Sequence, residues 1–339
     1  MKLKLWFLVL SLVFFGKECA AADAGLRYIN TRGTVRCGSD LTTKTYAYKD
    51  EAGYWRGIDA DFCRLFSTAI FGRGDRFEMV DVKSYDTAKA IASNKIDIML
   101  GDAPSTATRD IGSKATQAQL LYYGRQMFLA QKIDGANSME AYKGKKVCTV
   151  TNSEDFYNLQ DYSDKYSLEL RPLMFKDPRA AKEAFLLKRC ELLTGSEIYL
   201  KSIYRQMANE YMDITMLPEV IAYKPVYAQV LKDNQTLRTI VKWVVNAVTL
   251  AEKKGITSKN IDIFIGVKDA SIVNLFGINP VLWEKFQLKP GWVKTAITEL
   301  GNYGEIYERN LGSLSDLNIE REKNKLIDDG GLIIPQSFF

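Results

Sequence analysis

Residues 97–109, DIMLGDAPSTATR, hold the side chains best suited to gripping an anion. The apolar start around Ile96, Ile98, Met99 and Leu100 reads as a buried parallel strand, which turns small and polar and ends on one arginine eight positions after Gly101. Beyond the carboxyl end of such a strand is where an open α/β sheet receives a ligand. A guanidinium there grips both oxygens of a carboxylate through charge-assisted hydrogen bonds. Read locally, Arg109 is equally compatible with a solvated arginine at a helix start. Histidine is absent from the 339 residues, which removes the commonest general base and every Ser-His or Cys-His arrangement. With no close cysteine pair either, neither a metal nor another cofactor is expected. Binding is therefore the chemistry on offer; a buried glutamate such as Glu154 is the remaining acid or base for an enzyme.

The elements that would carry these residues follow a strand-helix rhythm. TRGTVRCGSD reads as a first strand ending in a polar loop, and the next helix, GIDADFCRLFSTAIFG, puts Ile58, Phe62, Leu65, Phe66, Ala69 and Ile70 on one face. FEMVDV, YDTAKAIASNK and IDIML continue as strand, helix and strand, the pattern of a parallel sheet with covering helices. LLYYGRQMFLAQ is extended, and the rhythm then restarts with KKVCTV, SEDFYNLQDYSDKY, LELRPLMF, a helix opening at Asp177-Pro178, ELLTG and EIYLKSIYRQMA. Aspartate as cap with proline in the first turn is a helix start. LPEVIAYKPVYAQVL is extended again, and mainly helical material follows. The fold class is α/β with two lobes joined by two crossing segments, one near 121–124 and one near 217–221. Residues 23–121 and 219–339 would form the first lobe and 122–218 the inserted second, with closure possible about the cleft between them.

Lys2 and Lys4 precede the apolar run LWFLVLSLVFF, and small residues follow at Cys19 to Ala22. This is a secretory signal peptide over residues 1–22, which places the mature chain in the periplasm. Four cysteines remain, Cys37, Cys63, Cys148 and Cys190, an even number in an exported chain. Three pairings are possible. Cys37 with Cys63 and Cys148 with Cys190 is favoured because each pair falls within one proposed lobe, each closing a loop that constrains the unfolded chain by ~3 to 4 kcal/mol. A formal net charge of +5 is spread over mixed charges with no basic tract, so a nucleic-acid surface is not expected.

RGTVRCGSD, GYWRGIDADFCRLFSTAIFG and NKIDIML ending in TATRD resemble the first lobe of periplasmic solute-binding proteins of polar amino-acid ABC importers. KKVCTVTNSEDFYNLQDY and LLKRCELLTGSE resemble the second lobe. LPEVIAYKP, NAVTLAEKKGITSKNID and LGNYGEIYERNLG resemble the long C-terminal part of the general L-amino-acid-binding (Aap/Bzt) subgroup. The resemblance implies a type II periplasmic-binding-protein fold and a monomeric receptor that closes on a small ligand and delivers it to a membrane permease. Arg109 stands at the family's carboxylate-binding arginine, Thr106 at its hydroxyl three residues earlier, and Tyr46 where an aromatic ring lies over the ligand. Asp102 and Ala103 complete the first-lobe set.

The pattern is broken elsewhere. Pro104 replaces a usual hydroxyl and has no backbone N–H. The Gly-Thr-Thr turn of the second lobe reads Asn152-Ser153-Glu154, and Ser196 replaces the aspartate that pairs with an α-ammonium, with Glu197 beside it. An ammonium left without its carboxylate typically costs ~3 to 5 kcal/mol. The cationic end of the ligand is therefore expected to meet Asp102, Glu154 or Glu197, which suits an amino acid or a related zwitterion with re-spaced charges. The alternatives are a receptor turned sensor or interaction protein, and a dehydratase-type enzyme on the same scaffold.

Overall fold

The computed structural model describes residues 24–43, 45–101, 107, 111–135, 138–208, 213–277 and 281–338. The expected signal peptide therefore lies outside the described residues. Among the described residues no helix is long and apolar enough to cross a membrane.

One sheet runs through both lobes. Its strands are β1 (Val35–Ser39), β4 (Phe77–Asp81), β5 (Ile98–Met99), β6 (Ala115–Gln131), β7 (Lys146–Val150), β8 (Arg171–Phe175), β9 (Leu192–Ser196), β10 (Ile214–Met216) and β11 (Ala222–Leu231); β2 (Tyr48–Lys49) and β3 (Trp55–Arg56) form a separate hairpin. The order is β4-β1-β5-β11-β6-β9-β7-β8, with β10 on β6. Within each lobe the strands are parallel: β1 lies between β4 and β5, and β7 between β8 and β9. The two crossing strands are antiparallel, β11 pairing with β6 from Ala115 to Gln126. From Gln126 onward β6 pairs with β9 instead. The seventeen-residue β6 thus belongs to both lobes and contains the first crossing, expected near 121–124.

Helices cover the sheet: α1 (Ala24–Arg32), α2 (Ile58–Phe71), α3 (Thr87–Ala92), α4 (Glu154–Lys165), α5 (Pro178–Leu186), α6 (Glu197–Ala208), α7 (Gln235–Lys253), α8 (Ala270–Leu275), α9 (Val281–Lys285), α10 (Trp292–Leu300) and α11 (Tyr303–Asn310). Asp177 caps α5 by accepting from the Ala180 N–H at 2.8 Å. Asn302 and Glu305 form a reciprocal capping box that starts α11.

Helix α2 departs from the expected single apolar face. Twelve of its fourteen residues are buried, Asp59 and Asp61 included, because α10 and α11 return to cover its outer side. Asp61 is charge-satisfied there: Arg64 donates at 2.6 Å, Arg309 at 2.7 Å and Asn310 at 2.7 Å. A buried carboxylate is tolerable only with such partners.

The disulfides are Cys37–Cys63, tying β1 to α2, and Cys148–Cys190 in the second lobe. Each lies beside its own apolar cluster, around Phe62, Phe66 and Trp292 in one lobe and around Leu193, Phe185 and Leu200 in the other.

Candidate functional site

Tyr46 and Ser196 meet across the cleft. The Tyr46 hydroxyl lies 3.0 Å from Ser196 Oγ, linking residues 150 positions apart. Both are buried, with 5% and 8% of their surface exposed. Tyr46 sits in the loop between β1 and the hairpin, and its carbonyl accepts from the Asp59 N–H at 3.0 Å, at the start of α2. Gly57 permits this approach: its φ is +104°, and a Cβ there would lie 2.4 Å from the Tyr46 carbonyl oxygen. Ser196 ends β9, where Oγ also approaches the Tyr199 N–H at 3.4 Å.

Burial pushes the Tyr199 hydroxyl well above its ordinary pKa, and the negative charges of Asp40, in the first lobe, and Asp177 add to the shift. Tyr199 donates to the Pro178 carbonyl at 3.0 Å.

In the second lobe, Ser153 caps α4: Oγ accepts from the Phe156 N–H at 3.2 Å and donates to the Val150 carbonyl at 2.7 Å. Asn152 is exposed with φ +53°, and Glu154 is half-buried in the first turn. Glu154 and Asp155 place negative charge at the positive end of this helix, where the partial charges of its first N–H groups favour it. Asp155 is tied to Lys224 of β11 at 2.9 Å, and its carbonyl accepts from Gln126 of β6 at 2.8 Å. The turn bearing Ser153 and Glu154 is therefore anchored to both crossing strands.

Asp102, Ala103, Pro104, Thr106 and Arg109 lie outside the described residues. Glu197, one of the three carboxylates expected to meet the ligand's cationic end, is ion-paired within the protein. Its side chain is 97% buried, and Arg125 of β6 donates to both carboxylate oxygens, at 2.7 and 2.8 Å. Burial depresses the Arg125 guanidinium, but the bonds it donates to Glu197 outweigh that and hold the group firmly charged.

Arg125 escaped the sequence reading, although a lone arginine within LLYYGRQMFLAQ is a signal that a partner must be buried beside it. Its third contact is Glu322, which also accepts from the Tyr223 hydroxyl at 2.9 Å. Asn324 is the other residue missed: its amide accepts from the Tyr123 N–H at 2.7 Å and donates to the Tyr123 carbonyl at 2.9 Å. No local pattern announces such a pairing.

The sequence pattern of the bacterial extracellular solute-binding proteins, family 3, matches residues 35–262. The general L-amino acid-binding periplasmic protein AapJ of Rhizobium johnstonii is 28% identical over 92% of this chain and 92% of its own. The glutamate/glutamine/aspartate/asparagine-binding protein BztA of Rhodobacter capsulatus is 27% identical over 94% of each chain. Among solved structures, the ABC transporter periplasmic binding protein from Brucella ovis with glutathione bound superposes with a TM-score of 0.86 at 28% identity, covering 94% of this chain and all of the other.

Proposed function

The chain belongs to family 3 of the bacterial extracellular solute-binding proteins, and from that premise we propose that it is a periplasmic, non-catalytic receptor for an amino acid or a small peptide-like zwitterion. It is a solute-binding receptor of the ABC-importer type, as its relatives are. The observation that carries the ligand reading is the Tyr46–Ser196 contact, which joins one lobe to the other. Arg109 would take the carboxylate from the first lobe, assisted by Thr106, Asp102 and Ala103. Glu154, with Asn152 and Ser153, would meet the cationic end from the second.

Relatives named for amino acids and one holding glutathione support a ligand with a carboxylate and an amine, free or within a short peptide. The lobe limits proposed with this reading are 23–121 and 219–339 for the first and 122–218 for the second. A monomer suffices, because both faces of the cleft come from one chain.

Isothermal titration with the twenty amino acids, glutathione and a polyamine tests the proposal. At least one zwitterion should bind the wild type, and Arg109→Ala should lose that binding while its melting transition stays in place. Binding that survives Arg109→Ala, or a polyamine preferred over every carboxylate-bearing compound, would overturn it.

A further inference from the structure

Residues 311–325 lie beyond the family match, which ends at residue 262, and they reach the crossing strand β6 at Tyr123. The segment is fixed to the first lobe at both ends. Just before it, Arg309 and Asn310 hold Asp61; near its far end, Arg321 pairs with Glu252 of α7 at 2.6 Å and lies over the rings of Tyr303 and Tyr307. Leu311, Leu317 and Ile319 are buried in the first lobe's apolar cluster.

Its inner edge reaches the crossing strands. The backbone N–H and C=O of a strand residue point to the same edge. The Asn324 amide takes both from Tyr123, so Tyr123 faces away from its β11 partner Pro225. Proline therefore leaves no donor missing from the ladder, and the side-chain amide of Asn324 stands in for a strand where β9 has not yet begun.

The other side of the segment meets the second lobe. Glu197, Lys201 and Arg205 are spaced four apart on α6 and so share one face. Glu197 binds Arg125 of the hinge; Lys201 donates to the carbonyls of Leu317 and Asn318 at 2.9 and 3.0 Å; Arg205 pairs with Asp316 at 3.2 Å. Ile198, from the same helix, joins the first lobe's cluster and shares with Leu311 and Ile319 the wall of a cavity of about 20 Å³, room for a water or two.

We propose that residues 311–325 form a strap across the hinge, and that Lys201 and Arg205 grip it when the lobes are closed, biasing the receptor toward closure before ligand arrives. A rigid strap anchored to one lobe and held along two turns of a helix in the other must slide or release when the lobes rotate. The contacts are formed here together with the cleft-closing Tyr46–Ser196 contact, so opening forfeits them. The proposal rests on the two-lobed receptor reading and adds a determinant of affinity outside the cleft: ligand binds the closed form, so its apparent affinity scales with the closed fraction.

Small-angle X-ray scattering of the ligand-free mature protein tests this without any ligand, so a failure of the ligand assignment leaves the result interpretable. Lys201→Met/Arg205→Asp should shift the radius of gyration upward, with far-UV circular dichroism unchanged. Adding Asp316→Arg, which restores an ion pair of reversed polarity, should bring it part of the way back. Arg205→Ala alone, at a half-exposed position, serves as the mildest variant and should show a smaller shift of the same sign. An unchanged radius in natively folded variants, or a smaller one, would overturn the proposal.

Discussion

The hydroxyls of Tyr46 and Ser196, 3.0 Å apart and buried, bridge the first lobe to the second. A neutral hydrogen bond of this kind is worth about 1 kcal/mol net, which suits a contact that must form and break with closure. Tyr46→Phe keeps the ring and removes the bridge. The affinity of whichever zwitterion binds the wild type should fall roughly fivefold, the equivalent of about 1 kcal/mol, with the thermal transition unmoved. Titration calorimetry reads the first quantity and differential scanning calorimetry the second; tighter binding by the variant would mean that the bridge competes with ligand.

Glu197 and Arg125 form a different kind of contact, buried and doubly hydrogen-bonded between α6 and the hinge strand β6. Removing one partner of a buried ion pair leaves the other charge stranded, which costs roughly 3 kcal/mol. Glu197→Gln should therefore lower the unfolding free energy by about that amount, with Glu322 retained as a partner for Arg125. Urea unfolding followed by tryptophan fluorescence measures it. A variant of wild-type stability that has lost ligand binding would return Glu197 to the list of ligand groups.

These two pairs mark the reach of the sequence. The parallel strands of both lobes, the helices between them and both disulfides were legible, because they follow from periodicity, capping residues and lobe membership; the β2–β3 hairpin, β10 and α1 were not read. Asp177 before Pro178 announced α5, and the cap is present. Tyr46 and Ser196 were legible as positions, through the resemblance, but not as a pair, since nothing in sequence encodes a contact between hydroxyls 150 residues apart. Helix α2 was read as one-faced because its outer cover, α10 and α11, arrives more than two hundred residues later. The strap was invisible for the same reason: its grip on Tyr123 runs through the amide of Asn324, a side chain that in isolation signals only a turn.

The pair formed by Asp40 and Lys83 in the first lobe gives a pH prediction. Burial raises the Asp40 carboxyl, but hydrogen bonds from Lys83, at 2.7 Å, and from Thr42 prevail and hold it below the usual carboxylate range. Burial likewise lowers Lys83, and the bond to Asp40 more than offsets it, leaving the ammonium raised. A depressed carboxylate stabilises the fold above its unfolded pKa of about 4 and loses that contribution as pH falls through the folded value. A raised lysine stabilises below about 10.4 and loses it as pH climbs through its own folded value. The pair thus contributes fully between about pH 4 and 10. Asp40→Asn should cost about 1 kcal/mol at pH 7, since both groups are partly exposed, and the gap from wild type should close in acid. Urea unfolding at pH 7 and near pH 2.5 checks this; a gap that persists unchanged in acid would contradict it.

Gln336 and Phe338, among the last described residues, are built into the first lobe rather than laid upon it. Phe338 is buried, its ring 4.9 Å from that of Trp243 and 5.4 Å from that of Trp283. The backbone leading to it is held by side-chain amides: Asn246 accepts from the Gln336 N–H at 2.6 Å and donates to its carbonyl at 2.8 Å, and Asn274 donates to the Phe338 carbonyl at 2.7 Å. Burying so few residues outweighs their ordering entropy only if the terminal ring fills its slot. Phe338→Ala empties that slot and should lower stability by about 3 kcal/mol. It should also release the preceding segment, so that limited proteolysis trims the variant back toward the strap while the wild type resists. Because Trp243 and Trp283 flank the vacated volume, the loss should register as a changed tryptophan emission before any unfolding. A variant with wild-type emission, stability and protease resistance would show that the amide contacts alone seat the tail.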